Sequence, residues 1–470
     1  MSDEIAFEGI ARLAELLRGR ELSSRELTEL YLERIKRLEP ELNAFRVVFA
    51  EQALEQADEA DRRLASGAPE DAALLGVPLA LKDTEPVLGH VTRYGTDGFD
   101  RPAERDGELT RRLREVGAIF LGKTNLPELA ICGFTEGKAF GITRNPWNAR
   151  LTSGGSSGGS GTAVAAGLCA GASASDGAGS IRYPAAFCNL CGLKPQRGRV
   201  PLAPDVGHWH GLSVKGCVTQ TVLDTALFLD ATIARGGEEG APPPPERPLA
   251  EAARTAPGRL RIALSHKPVR AVAPPIVTDE VKGAVAQTGE LLRSLGHEVA
   301  EQDPSYGGAG NNITVRYLAG IADDVAAVEH PERLERRTRG FGRLGSLYPR
   351  AVVERARRAA ERDAARINAI FDRFDLLITP VAGEAPFEVG RWEGRGAVRT
   401  LLGMSRTYCL GPVWNHTGQP AAAVPAGVTD DGRPLSVQLV GRPNDEETLL
   451  SLAAQLEAER PWADRRPPVG

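Results

Sequence analysis

Nine consecutive positions, 153–161, read SGGSSGGSG, and a second glycine-rich stretch, ASDGAGSIRYPAAF, follows at 174–187. A run of serine and glycine alone is ordinarily a flexible tether. This one lies about a third of the way along the chain, between segments that read as ordered core. The residues between the two stretches, TAVAAGLCAGA at 162–172, are small and apolar. They suit a helix packed closely against a sheet. Two glycine-rich turns joined by such a helix leave two readings: a linker, or a rigid turn that needs glycine for its backbone and serine for its chemistry.

The surrounding pattern favours an ordered α/β chain. Ser23 and Glu26 form a capping box, and Leu27, Leu30, Tyr31, Ile35 and Leu38 recur at helical spacing, with Pro40 expected to stop that helix. A more polar helix is expected over 50–66. The apolar run LLGVPLALKDT, 74–84, reads as a buried strand with Lys82 at its end, and AIFLGKTN, 118–125, as another, with a helix at 106–116 between them. Helices are further expected at 222–232, 277–296, 351–371 and 445–459. Strands are expected in GRLRIALS, FDLLITPVAG and PLSVQLVGR. GGEEGAPPPPERP, 236–248, is a surface loop by composition. Strands on its two sides read as one sheet resumed, so one domain with an excursion is the expectation.

Composition excludes several classes. Net charge is −5 over 470 residues, which gives no electrostatic case for nucleic acid or an anionic membrane as partner. The N-terminus MSDEIAFEGI has no basic region of the kind that opens a signal peptide, and no stretch approaches the roughly 18 apolar residues of a spanning helix. A cytoplasmic protein is expected. The six cysteines would then be reduced. Cys188 and Cys191 make a C-x-x-C within the apolar FCNLCGL, which reads as two small buried hydrophobes rather than a redox or metal pair.

Ser156 and Ser180 stand out because each lies in a glycine-rich turn, 24 positions apart. A serine needs a base within hydrogen-bond reach to become a nucleophile. None of the seven histidines sits in a recognisable triad motif. Lys82 is the other candidate base. With an ordinary pKa of about 10.4, only roughly 0.04% of a lysine is neutral at pH 7, so burial would have to bring it to about 7–8. A surface lysine beside Asp83 is the competing reading. Backbone N–H groups of the turn Gly177, Ala178, Gly179 and Ser180 could receive an oxyanion. A phosphate cradle is disfavoured because a P-loop needs G-K-[ST] and no Lys follows this turn.

GVPLALKDT, GGSSGGSG and SDGAGSIRYPAAFCNLCGLKPQRGR, with WNHTGQPAAAVPAG and PLSVQLVGRPNDEETLL further on, together resemble the amidase signature family over essentially the whole chain. The resemblance implies an α/β fold: a single amidase-signature domain with a large twisted mixed sheet covered by helices on both faces. Its parts would be N-terminal helices (1–70), a signature core (74–232), the proline-rich loop (236–248) and the rest of the sheet (259–460). It further implies hydrolysis of a C–N amide bond, with Ser180 resembling the nucleophile, Ser156 the bridging serine, Lys82 the base, and the amides of Gly177, Ala178, Gly179 and Ser180 the oxyanion hole. Ser157, Asp176 and Arg182 would support the site, Asp176 by holding the turn and Arg182 by pairing with a carboxylate of the protein or of the substrate. The segment 126–133, with Ile131 and Cys132, matches one that lines the family's cleft. Tyr183, Phe187 and Trp209 are candidates for an aromatic acyl pocket.

The chain departs from the family's commoner G-T-D-x-G-G-S turn at Ala178, where a positive φ would cost about 1 kcal/mol. Tyr183 stands where the A subunit of the tRNA-dependent amidotransferases typically has Gln, and WHGLSV, 209–214, is closer to stand-alone bacterial amidases. The glutamine-hydrolysing subunit and a non-catalytic scaffold are the alternatives. The His208-x-His210 pair is too little for a metal site, which wants three or four ligands. No cofactor is expected, and the partner is a small-molecule amide. Family members are often dimers, so a homodimer is an expectation the resemblance carries; the sequence leaves the oligomeric state open.

Overall fold

In the computed structural model, which describes residues 3–67, 72–234 and 240–469, eleven strands form one mixed sheet. In chain order they are β1 (Phe45–Val48), β2 (Pro78–Lys82), β3 (Ile119–Thr124), β4 (Gly171–Asp176), β5 (Cys191–Lys194) and β6 (Val214–Thr219). There follow β7 (Arg261–Leu264), β8 (Glu298–Glu301), β9 (Leu376–Pro380), β10 (Ala421–Val428) and β11 (Pro434–Val440). Their spatial order is β1-β3-β2-β4-β6-β5-β10-β11-β9-β7-β8. The trio β3-β2-β4 is parallel, as is β9-β7-β8, while the central strands run antiparallel. Every residue of β2, β3, β5, β6, β9 and β11 is buried, so both faces of the sheet are covered. This is the expected α/β architecture, and strands from both sides of the proline-rich loop share the one sheet. Of that loop, positions 236–239 lie outside the described residues, and 241–248 form no helix or strand.

Most expected elements lie within a few residues of their places. The Ser23 capping box is present with both of its hydrogen bonds. Pro40 does not stop its helix: Ser24–Leu42 continues through it and ends where Asn43 turns left-handed at φ 50°. Proline deletes one N–H and crowds one carbonyl, a defect that a helix already near its end tolerates.

The helix expected within 162–172 begins earlier. It spans Gly158–Ala165, so half of it is drawn from the glycine–serine run, and Gly171–Ala172 already open β4. Three glycines in a helix cost about 1 kcal/mol each relative to alanine. Close packing is the reason for them: a Cβ on Gly159 would lie 2.5 Å from Ala44 O and from Asn125 N. All nine residues of SGGSSGGSG are buried. The run is a packed turn and helix start, not a tether.

Because β2 and β4 are parallel neighbours, with Ala80 opposite Ala172, their C-terminal ends emerge at one edge of the sheet. Lys82 ends β2 and Asp176 ends β4. Ligand sites of open α/β sheets gather outside such strand ends.

Candidate active site

Lys82 closes a five-residue strand of wholly apolar neighbours, and its side chain is drawn into the protein with 0% exposure. Its Nζ donates to Ser156 Oγ at 2.7 Å and to Ser175 Oγ at 2.8 Å, while its backbone N–H donates to Ser173 Oγ at 2.8 Å. Burial strips water from the ammonium and brings its pKa down to about 7; Asp176 and Glu85 pull only partly the other way. Asp83 is no counter-ion to it. That carboxylate is taken by Lys123 at 2.8 Å and Arg46 at 2.8 Å. Glu85 is likewise engaged, with Lys215 at 2.8 Å. The competing reading of Lys82 as a surface lysine therefore fails on geometry.

Ser156 follows a cis Gly155–Ser156 peptide, and Ser157 leads directly into the helix Gly158–Ala165. Ser157 ties the two glycine-rich segments together: its N–H donates to Ser180 O at 3.4 Å and its hydroxyl to Ser175 O at 3.3 Å. Ser180 is 9% exposed, at the edge of the buried cluster. Among the described residues its hydroxyl has no hydrogen-bond partner. Catalytic hydrogen bonds often tighten only with substrate bound.

Asp176 and Arg182 form the frame beneath the turn. Asp176 Oδ1 accepts the Gly179 N–H at 2.6 Å, and Oδ2 accepts that of Ile181 at 3.2 Å. Arg182 binds both carboxylate oxygens at 2.9 Å, and Asn415 Nδ2 adds a bond to Oδ1 at 2.8 Å. These cationic and amide donors overcome the cost of burial and hold the carboxyl at a pKa of about 2. The remaining Arg182 donors go to Gly411 O, Gln438 Oε1 and Asn415 Oδ1, at 2.9, 2.6 and 2.7 Å. All five guanidinium N–H groups are thus used within the protein. Of the two partners open to Arg182 from sequence, the substrate carboxylate has no donor left to meet.

The turn itself corrects two expectations. Gly179 cannot serve as an oxyanion donor, because its N–H is already bonded to Asp176. The amides of Gly177, Ala178 and Ser180 are without hydrogen-bond partners among the described residues. Nor is Ala178 strained: the positive φ of this turn falls on Gly179, at 116°. A Cβ on Gly179 would lie 2.2 Å from the Tyr183 ring. Gly179→Ala is therefore expected to lower stability by about 1–3 kcal/mol and to cut turnover sharply. Ala178→Gly should change both little. Thermal melts and steady-state rates of the two variants check this, and a tolerated Gly179→Ala would contradict the turn geometry.

Two cavities meet at Ser180. One, of about 110 Å³, is lined by apolar side chains that include Ile131, Cys132, Tyr183, Trp209, Met404 and Tyr408. The other, of about 210 Å³, has apolar walls too but also carries the polar and charged side chains Ser156, Ser175, Asp205, His208, Lys215 and Asp324. Ser180, Ala130 and Trp209 border both. Trp209 is the partition. It sits in the left-handed region at φ 50°, and its indole N–H donates to Asp324 Oδ2 at 2.6 Å. A Cβ on Gly177 would meet its ring at 2.6 Å.

Phe187, expected in the pocket, lines neither cavity. It stands behind the apolar wall, against Phe387 and Tyr408 at centroid distances of 6.0 and 6.5 Å. Its helix, Arg182–Phe187, turns Tyr183 toward the cavity, and Phe187, one turn further on, falls behind it. His208 and His210 diverge: the first bonds Ser213 and Asp324, the second faces Asp323. All six cysteines are buried thiols, and burial pushes those of Cys188 and Cys191 up.

The sequence reading passed over Ser175, Asn415, Gln438 and Asp324. Ser173 and Ser175 carried a usable signal, since two serines at period two in a strand of small residues share one face. Asn415 and Gln438 lie in the stretches WNHTGQPAAAVPAG and PLSVQLVGRPNDEETLL that carry the family resemblance, while Asp324 lies in no motif.

The chain matches the family model described as Amidase over residues 26–450. It is 49% identical over 467 residues, 99% of each chain, to the protein named "Putative amidase AmiB2" of Mycobacterium tuberculosis (strain ATCC 25618 / H37Rv). It is 34% identical to the 6-aminohexanoate-cyclic-dimer hydrolase of Paenarthrobacter ureafaciens, over 97% of this chain and 95% of that one. A solved structure of 6-aminohexanoate cyclic dimer hydrolase superposes with a TM-score of 0.88 at 31% identity, covering 99% of both chains.

Proposed function

The chain belongs to the amidase family, hydrolases that act on C–N amide bonds, and on that premise we propose that it cleaves a small-molecule amide through Lys82, Ser156 and Ser180 by way of a seryl acyl-enzyme. The observation that carries this reading is Lys82: an amine with a pKa near 7, wholly buried, 2.7 Å from the hydroxyl of Ser156. A base poised near the working pH is what serine activation needs.

In this reading Ser180 Oγ attacks the amide carbonyl as its proton passes to Ser156, and Ser156 gives its own to the neutral amine of Lys82. The tetrahedral oxyanion is met by the unpartnered amides of the turn, Gly177, Ala178 and Ser180 being the available donors. The ammonium of Lys82 then returns the proton through Ser156 to the leaving nitrogen. The C–N bond breaks, and an amine departs from the acylated Ser180. Water adds to the ester by the same relay and releases a carboxylate. Asp176 and Arg182 position the turn and touch no reacting atom. The apolar cavity beside Ser180 suits the acyl group.

Intact mass after treatment with a serine-reactive fluorophosphonate tests the nucleophile. One adduct is expected on the wild type and none on Ser180→Ala. An unlabelled wild type, or a labelled Ser180→Ala, would overturn the assignment.

A further inference from the structure

Of the two cavities only the larger, the polar one by its lining groups, holds charged side chains, and the relay makes the two unequal in role. Ser156 lines only the polar one. If Ser156 hands the proton to the departing nitrogen, that nitrogen must lie on the Ser156 side, so the leaving amine extends into the polar cavity. This step rests on the Lys82–Ser156–Ser180 reading given above.

The charged groups of that cavity are nearly all committed. Lys215 is bound to Glu85 at 2.8 Å. Asp324 is held by His208 at 3.0 Å and by the Trp209 indole at 2.6 Å. His208 also bonds Ser213 at 2.7 Å. Asp205 is different. Its backbone is fixed in the loop, with its N–H donating to Leu202 O and its carbonyl accepting from His208 N, but its carboxylate has no hydrogen bond or ion pair among the described residues. It is partly buried and opens onto the same cavity as the catalytic serines. Burial raises its pKa, while Lys215 and His208 oppose this only in part. A partly desolvated carboxylate without a protein partner is an open acceptor, and a cationic group in the cavity would form a charge-assisted hydrogen bond with it.

We propose that Asp205 is a specificity-determining residue that binds a positively charged group on the leaving-amine side of the substrate. The substrate class is then an amide of an apolar acid with an amine that carries a second, protonated nitrogen. Hydrolysis with one water yields the apolar carboxylate and a diamine-type product.

The test compares two amides of one apolar acid that differ only at the distal end of the amine: the N-(2-aminoethyl) amide, charged, and the N-propyl amide, neutral and nearly isosteric. Wild type is expected to favour the charged amide in kcat/KM by about tenfold or more. Asp205→Asn should bring that ratio toward one, and Asp205→Glu should keep most of it, which a merely structural role for Asp205 would not produce. Equal rates on both amides by the wild type, or a ratio unchanged in Asp205→Asn, would overturn the proposal while leaving the amidase mechanism standing, provided that Ser180→Ala is inactive. Turnover that survives Ser180→Ala would overturn the mechanism and the inference with it. If neither amide is turned over, protection of Ser180 from fluorophosphonate by the N-(2-aminoethyl) amide against the neutral N-propyl amide reads the same cavity. Stronger protection by the charged amide is expected, and equal protection overturns the proposal.

Discussion

Lys82→Met is expected to reduce turnover by about 10³-fold while the protein remains folded. General-base catalysis contributes about 10²–10⁴-fold, and among the described residues no second amine bonds Ser156. The wild type carries the matching pH signature. With the Lys82 pKa at about 7, its neutral fraction falls about tenfold per pH unit below that value and saturates above it. Activity should therefore rise steeply from pH 5 to 7 and level off by about pH 8. Asp176, held near 2, stays ionised throughout and adds no second limb. Rates of the wild type on one amide across pH 5–9 check this, and a flat profile would exclude Lys82 as the base. The sign for stability is the same. The folded pKa is depressed below the unfolded value, so between about pH 7 and 10 the unfolded chain binds more protons, and this group makes folding more favourable as pH rises.

Asp176→Ala should be the most damaging substitution for the fold. It leaves the Arg182 guanidinium buried with two of its five bonds missing and releases the Gly179 and Ile181 amides. Removing one partner of a buried ion pair costs about 3–5 kcal/mol, because the other charge stays in the interior uncompensated. A lowered denaturation midpoint and lost turnover are expected together, since the same bonds hold the turn that carries Ser180. The double variant Asp176→Ala/Arg182→Met should recover part of the stability but not the turnover. A single variant as stable as the wild type would show that Gln438, Asn415 and Gly411 suffice for Arg182. In the wild type the Asp176 contribution is fully present above about pH 4 and is lost as pH falls through about 2, the order a depressed carboxylate pKa requires.

Among the described residues no helix is long and apolar enough to cross a membrane, and no group of three or more His, Cys, Asp or Glu is arranged to hold a metal ion.

Local physics was legible without coordinates. Capping, periodicity and apolar runs located the Ser24 helix, the Val222–Thr232 helix and the strand that ends in Lys82, because those elements are set by neighbours within a few residues. The two glycine-rich turns and the order Lys82, Ser156, Ser180 already carried the resemblance to the amidase family to which the chain belongs. Elements made chiefly of alanine and glycine were harder to read. The helix Gly158–Ala165 and strand β4 have composition without periodicity; Gly159 packs against Ala44 and Asn125, and β4 pairs with β2 and β6, contacts that only the fold supplies. Tertiary structure alone decided the rest. The order of eleven strands depends on pairings between distant segments. Three of the partners of Arg182 lie 229–256 positions away, and Asp324 reaches Trp209 across 115. Whether a lysine is a base or a surface charge depends on how much water reaches it. Water is excluded from Lys82 by residues that only the completed fold brings around it.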